Sequence, residues 1–158
     1  MSYSKRAFTL IELLVVIAII GLLATIISIA VNSARAKARD AKRVSELQQL
    51  KLAVEMYYDK NNSYPSTGGN WWGECPSYGS HTDWIPGIGE YIAKLPQDPS
   101  QDCSAYRTYL YVSNGTDYKI LDYHGPDNAN SQTSLIDCRY HDSWSISTRQ
   151  DYPAPCLP

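Results

Sequence analysis

Few residues in this 158-residue chain look able to do chemistry, and one of them is out of place. Glu12 lies near the start of an apolar run, and from Leu13 to Val31 no charge interrupts 19 positions. At about 1.5 Å per residue, a helix of that length nearly crosses a hydrocarbon core of roughly 30 Å. The run is rich in Leu, Ile, Val and Ala and has no proline, so one continuous helix is expected. A carboxylate at membrane depth costs about 2.5–3.5 kcal/mol on insertion scales and calls for a partner. Lys5 and Arg6 lie seven and six residues before it, and the next cation is Arg35, so no i,i+4 pair serves Glu12. A cut between Ala7 and Phe8 would create one. Phe8 would then carry a free α-amino group four residues before Glu12, in the same chain or in an identical neighbour. The plainer alternative is a carboxylate that snorkels to the interface at the edge of an ordinary signal-anchor.

The stretch Arg6-Ala7-Phe8-Thr9-Leu10-Ile11-Glu12-Leu13-Leu14-Val15-Val16 resembles the class III signal of type IV pilins and type II secretion pseudopilins. The likeness covers roughly residues 5–31 and continues more loosely through residue 60. That family has a short basic leader, a cut before Phe and a Glu at the fifth mature position. It most often carries Gly before the cut, where this chain has Ala7. The resemblance implies that a membrane prepilin peptidase cuts after Ala7 and N-methylates Phe8. It implies that Glu12 pairs with the Phe8 amine of an adjacent subunit in a homo-oligomeric helical filament. It also implies inner-membrane pilus assembly machinery as a partner, and a single-pass precursor with its head outside the cytoplasm. Three readings follow. The first is a pilin of an extracellular type IV pilus-like filament. The second is a type II secretion pseudopilin or a minor or competence pilin. The third, from another class, is a membrane-anchored binding protein or enzyme that keeps Lys5 and Arg6.

The charge pattern divides the chain further. Residues 35–51 hold Arg35, Lys37, Arg39, Lys42, Arg43 and Lys51 against Asp40 and Glu46. Residues 52–158 hold 6 Lys or Arg and 13 Asp or Glu. A basic stem and an acidic head suit electrostatic stacking of copies, contact with anionic headgroups, or simply a solvated helix face. Lys5 and Arg6 favour a cytoplasmic N-terminus, while the later basic cluster pulls the other way. Cys75, Cys103, Cys138 and Cys156 all lie in the head, and an even count outside the cytoplasm points to two disulfides. Three pairings exist; the favoured set is Cys75–Cys103 with Cys138–Cys156. A zinc site finds no CxxC or matched His spacing.

The expected class is α+β: a long N-terminal helix, membrane-spanning in its first half, packed against a small antiparallel head. The segments are a leader at 1–7, a polymerisation half at 8–31, an amphipathic half at 32–60 and a head at 61–158. Val44, Leu47, Leu50, Val54 and Tyr57 recur at helical spacing, so one helix from about Thr9 to Lys60 is read. Gly21 is a soft point of that helix or a close helix–helix contact. Asn61-Asn62-Ser63-Tyr64-Pro65 ends it. Residues 66–103 read as loop with Trp71, Trp72 and Trp84 as anchors, and residues 85–99 hold one short helical turn. Leu95-Pro96-Gln97-Asp98-Pro99 followed by a Tyr-rich strand resembles major pseudopilins and related pilins. Residues 106–112 and 117–123 form a hairpin about the Asn114-Gly115 turn, with a short strand near Trp144-Ser145-Ile146.

Among enzyme signatures, GxSxG, HExxH, the P-loop and GxGxxG are absent from the sequence, and His81, His124 and His141 sit in polar loops. No enzymatic activity and no cofactor are expected. Major pseudopilins bind calcium in a loop near the position of residues 124–130, which makes Asp122, Asp127 and Asn128 candidate ligands here, although the spacing is not that of an EF-hand. Asn61 and Asn114 begin N-glycosylation sequons. The acidic head disfavours nucleic acid, which leaves only an exposed aromatic and basic strip of an assembled filament for DNA.

Overall fold

The computed structural model describes residues 9–79, 82–100, 102–127 and 144–148. The chain divides into two compact units, one ending at Ala36 and the other beginning at Lys37. The element common to both is α1, Leu10–Asn61. Thr9 is its cap rather than its first residue, and Asn61 extends it by one position beyond Lys60. The helix stops where Asn62 turns left-handed (φ 51°), with the Asn62 amide donating to the Tyr58 carbonyl at 2.7 Å. Pro65 then bars continuation.

In the first unit, every large apolar side chain from Leu10 to Val31 is exposed. An 18-residue window there has a mean hydropathy of 3.0, long and apolar enough to cross a membrane.

The second unit is built on the remainder of α1 and an antiparallel sheet in the order β1 (Trp72–Gly73), β2 (Thr108–Ser113), β3 (Tyr118–Tyr123), β4 (Trp144–Ser147). β1 pairs Trp72 with Tyr111, a strand the loop-like composition of 66–103 concealed. β2 begins two residues later than the aromatic run suggests. Cys103–Ala105 forms a 3₁₀ turn capped by Asp102, and Tyr106 exits it at φ 57°. The β2–β3 turn is closed by the Asn114 side chain, whose Oδ1 accepts from the Thr116 and Asp117 amides at 3.0 and 2.9 Å. Gly115 adopts φ 92°, which a side chain would strain. The short helical turn in 85–99 falls at Ile88–Glu90.

Register decides which residues meet α1. Tyr109 pairs with Asp122 and Tyr111 with Ile120, and alternation puts Tyr118 on the same face. Tyr109, Tyr111, Tyr118 and Ile120 share one core with Leu47, Leu50, Ala53 and Val54 of α1 and with Trp84, Ile85 and Trp144. Burying each large aliphatic side chain contributes about 1.5–3 kcal/mol. Trp84, one of the expected anchors, is buried and stacks on Tyr109 at 6.3 Å. Trp71 and Trp72 are half-buried. A disulfide joins Cys75 to Cys103 across a sequence separation of 28, a closure worth about 3–4 kcal/mol in a chain-entropy account. Cys138 and Cys156 lie outside the described residues.

Candidate functional site

At the start of α1, Thr9 and Glu12 form a reciprocal capping box. The Thr9 amide and hydroxyl donate to Glu12 Oε2 at 2.8 and 2.7 Å, and the Glu12 amide donates to Thr9 Oγ1 at 3.3 Å. Ser/Thr-x-x-Glu satisfies helix-end donors that would otherwise be orphaned, and the negative charge suits the positive end of the helix dipole. The signal for this box is local and present in the sequence, Thr9-Leu10-Ile11-Glu12, a Thr three residues before a Glu. Both Thr9 bonds fall on Oε2; among the described residues no hydrogen bond falls on Oε1. Ala7 and Phe8 lie outside the described residues, as do Lys5 and Arg6.

A second polar centre lies in the head. The apolar stripe of α1 runs through Leu47, Leu50 and Val54, and the same 3–4 spacing extended backwards reaches Arg43 and Asp40, both buried. Arg43 is fully buried and makes a forked contact with Asp98, Nε to Oδ2 at 2.6 Å and Nη2 to Oδ1 at 3.1 Å. Its Nη1 donates to Asp40 Oδ1 and to Asp127 Oδ2, each at 2.9 Å. Asp127 also accepts from Arg39 at 2.7 Å and from Arg107 at 2.6 Å. Asp98 is fixed further by the Ser100 amide and hydroxyl. Asp122, buried on the helix-facing side of β3, stands 3.8 Å from Arg43 Nε, and neither of its oxygens takes a hydrogen bond among the described residues. A Cβ at Gly125 would collide with the Asp122 carboxylate, so glycine is needed where the chain leaves β3.

Protonation follows the contacts. Burial raises Asp127, but hydrogen bonds from Arg39, Arg43 and Arg107 outweigh it and hold the group well below the ordinary carboxylate range. Asp98 follows the same pattern, with burial overcome by Arg43 and Ser100. For Asp122 burial wins, aided by the Asp98 charge, and pushes it well above its ordinary value.

Other acids of α1 are tied to the sheet and loops by tyrosines. Glu46 accepts from the Tyr109 hydroxyl at 2.7 Å, and Glu55 accepts from Tyr118 at 2.9 Å and Tyr64 at 3.2 Å. Burial, with the Glu55 charge, pushes the Tyr64 phenol up to about 12. Of the calcium candidates, Asp122 and Asp127 are brought together around Arg43. Asn128 lies outside the described residues, as do His81 and His141. His124 is described, beside Tyr123 with ring centroids 4.1 Å apart.

One long helix with an exposed apolar first part, joined to a small four-stranded antiparallel sheet, defines a pilin-like subunit. The family model for the prokaryotic N-terminal methylation motif matches residues 3–28. A type II secretion system core protein G from Pectobacterium carotovorum subsp. carotovorum is 36% identical over 121 residues, covering 75% of this chain and 68% of the relative. One from Dickeya chrysanthemi is 35% identical over 130 residues, covering 80% and 81%. The chain belongs to the type II secretion system core protein G family, the pseudopilins. A type IV wide pilus major component of Thermus thermophilus is also similar, 44% identical over 63 residues, covering 40% of this chain and 48% of the relative. No solved structure matches. The motif and the apolar helix together fit a membrane-anchored precursor.

Proposed function

We propose that this chain is the repeating, non-enzymatic subunit of a secretion filament that assembles through its N-terminal helix. The carrying observation is that apolar helix with one carboxylate at its start, inside a matched methylation motif. Before assembly the helix lies in the cytoplasmic membrane with the head outside. A prepilin peptidase cuts after Ala7 and methylates Phe8, and inner-membrane machinery extracts the subunit. Extraction reburies Leu10 to Val31 against the helices of sister subunits, which recovers the apolar burial the lipid had supplied. Glu12 keeps its Thr9 cap on Oε2 and offers Oε1 to the Phe8 amine of a neighbour. The breadth of the match to protein G relatives favours the secretion role. The pilus reading rests on the shorter likeness to the Thermus pilus component.

Deleting the gene in its host tests the choice. Loss of export of a secreted enzyme, with no long surface filaments on unmodified cells, is the expected result. Intact export together with loss of abundant long filaments would move the chain to the pilus reading.

A further inference from the structure

The first charges beyond the apolar run of α1 are Arg35 and Lys37, and both are exposed. Neither takes an ion pair or a hydrogen bond among the described residues. Most cations that follow on the same helix are engaged. Arg39 and Arg43 hold Asp127, Lys42 stands 3.6 Å from Glu46, and Lys60 meets Glu90 at 2.6 Å. Lys51 is exposed too, but about 30 Å beyond Val31 by helix rise. No acid lies in the sequence between Glu12 and Asp40.

Helix rise puts Arg35 about 6 Å and Lys37 about 9 Å past Val31. Each headgroup layer of a bilayer is about 5–8 Å deep. Side chains of a helix lean toward its N-terminus, so both long stems reach back toward that layer. At 3.6 residues per turn the two positions lie about 200° apart around the axis, so they ring the helix rather than mark one face. Headgroups surround a spanning helix on every side, whereas a docked protein meets one face of it. Cations that follow the span also run against the usual positive-inside distribution, which calls for a compensating contact.

We infer that Arg35 and Lys37 form a collar that binds the phosphates of anionic headgroups around the subunit before it is extracted. The inference rests on the membrane stage of the function proposed above. The guanidinium offers a planar fork to phosphate oxygens, and the ammonium adds a point charge. The contact holds the stem at one depth, and extraction into the filament breaks it.

Native mass spectrometry of the full-length subunit, released from micelles containing equal phosphatidylglycerol and phosphatidylcholine, tests this by counting the lipids retained. Each cation near an anionic surface contributes about fivefold, so phosphatidylglycerol should be favoured about 25-fold. The preference should shrink with added salt. Arg35→Gln/Lys37→Gln removes two side chains without partners, so it should fold as the parent does and retain the two lipids equally. Equal retention by the parent would overturn the inference. So would a preference that survives in the double variant, which would assign it to other cations, Lys5 and Arg6 among them. Loss of filaments in the double variant, with no lipid preference in the parent, would give the collar to carboxylates of a sister subunit and overturn it as well. Alkaline carbonate washing of host membranes separates the two levels. A parent that washes out overturns this inference together with the membrane stage it rests on; a parent that stays and shows no preference overturns the inference alone.

Discussion

Glu12→Val leaves the subunit inserted in the membrane and lowers filament yield by roughly two orders of magnitude. The size follows from the cost of an acid at membrane depth, about 2.5–3.5 kcal/mol. A filament that supplies an amine partner relieves that cost, and a lone subunit bears it. The difference is a driving force for assembly that valine does not have, and about 1.4 kcal/mol is a factor of ten in an equilibrium. The Thr9 cap does not remove this force, because both of its bonds fall on Oε2. Glu12→Gln separates the two roles. Glutamine still accepts from Thr9 and preserves the capping box, yet carries no charge for an amine. Filament yield measured by shearing and quantification should fall for both variants. A Glu12→Gln yield equal to the parent would assign Glu12 to helix capping alone.

Arg43→Met destabilises the head by about 3–5 kcal/mol, the usual consequence of removing one member of a buried ion pair. Domain stability is commonly about 5–15 kcal/mol, so the variant lies near the edge of folding. Methionine fills much of the volume, which makes the loss one of charge: Asp98 would stay buried after losing both bonds of the Arg43 fork. Denaturant melts in micelles measure it, and pH supplies an internal check. Asp98 and Asp127 have depressed folded-state values, so the stability they contribute is present above the ordinary value of 3.8 and is lost as pH falls through their folded values. Asp122 runs the other way. Its folded value is raised, so its contribution is intact below 3.8 and is lost as pH rises toward that folded value. The gap between parent and variant should therefore be wide at neutral pH and narrow in strong acid.

The elements that were legible in the sequence were those set by local pattern. The long helix follows from an uninterrupted apolar run joined to a 3–4 periodicity, and the hairpin from Asn114-Gly115 between two aromatic runs. The fold class follows from those two. Hidden features were those whose cause is tertiary. Trp72–Gly73 is too short to show a strand period, and it becomes a strand only because Tyr111 and Leu110 offer an edge. Asp40 and Arg43 sit on the buried stripe of α1, but charged residues on a helix read as solvent-facing until Asp98 and Asp127 arrive from distant segments. Asp122, a calcium candidate through the resemblance to major pseudopilins, lies by register under the helix and opposite a guanidinium, a position that no local pattern announces. At the N-terminus the opposite happened. There a local cause, the Thr9–Glu12 box, acts on the same carboxylate for which the sequence suggests a distant partner.

The amine proposed to pair with Glu12 exists only after proteolysis. Intact-mass measurement of the subunit purified from its host membrane tests this most directly. A chain that begins at Phe8 and carries one added methyl group is the predicted result. A chain that still begins at Met1, with Lys5 and Arg6 in place, would contradict it.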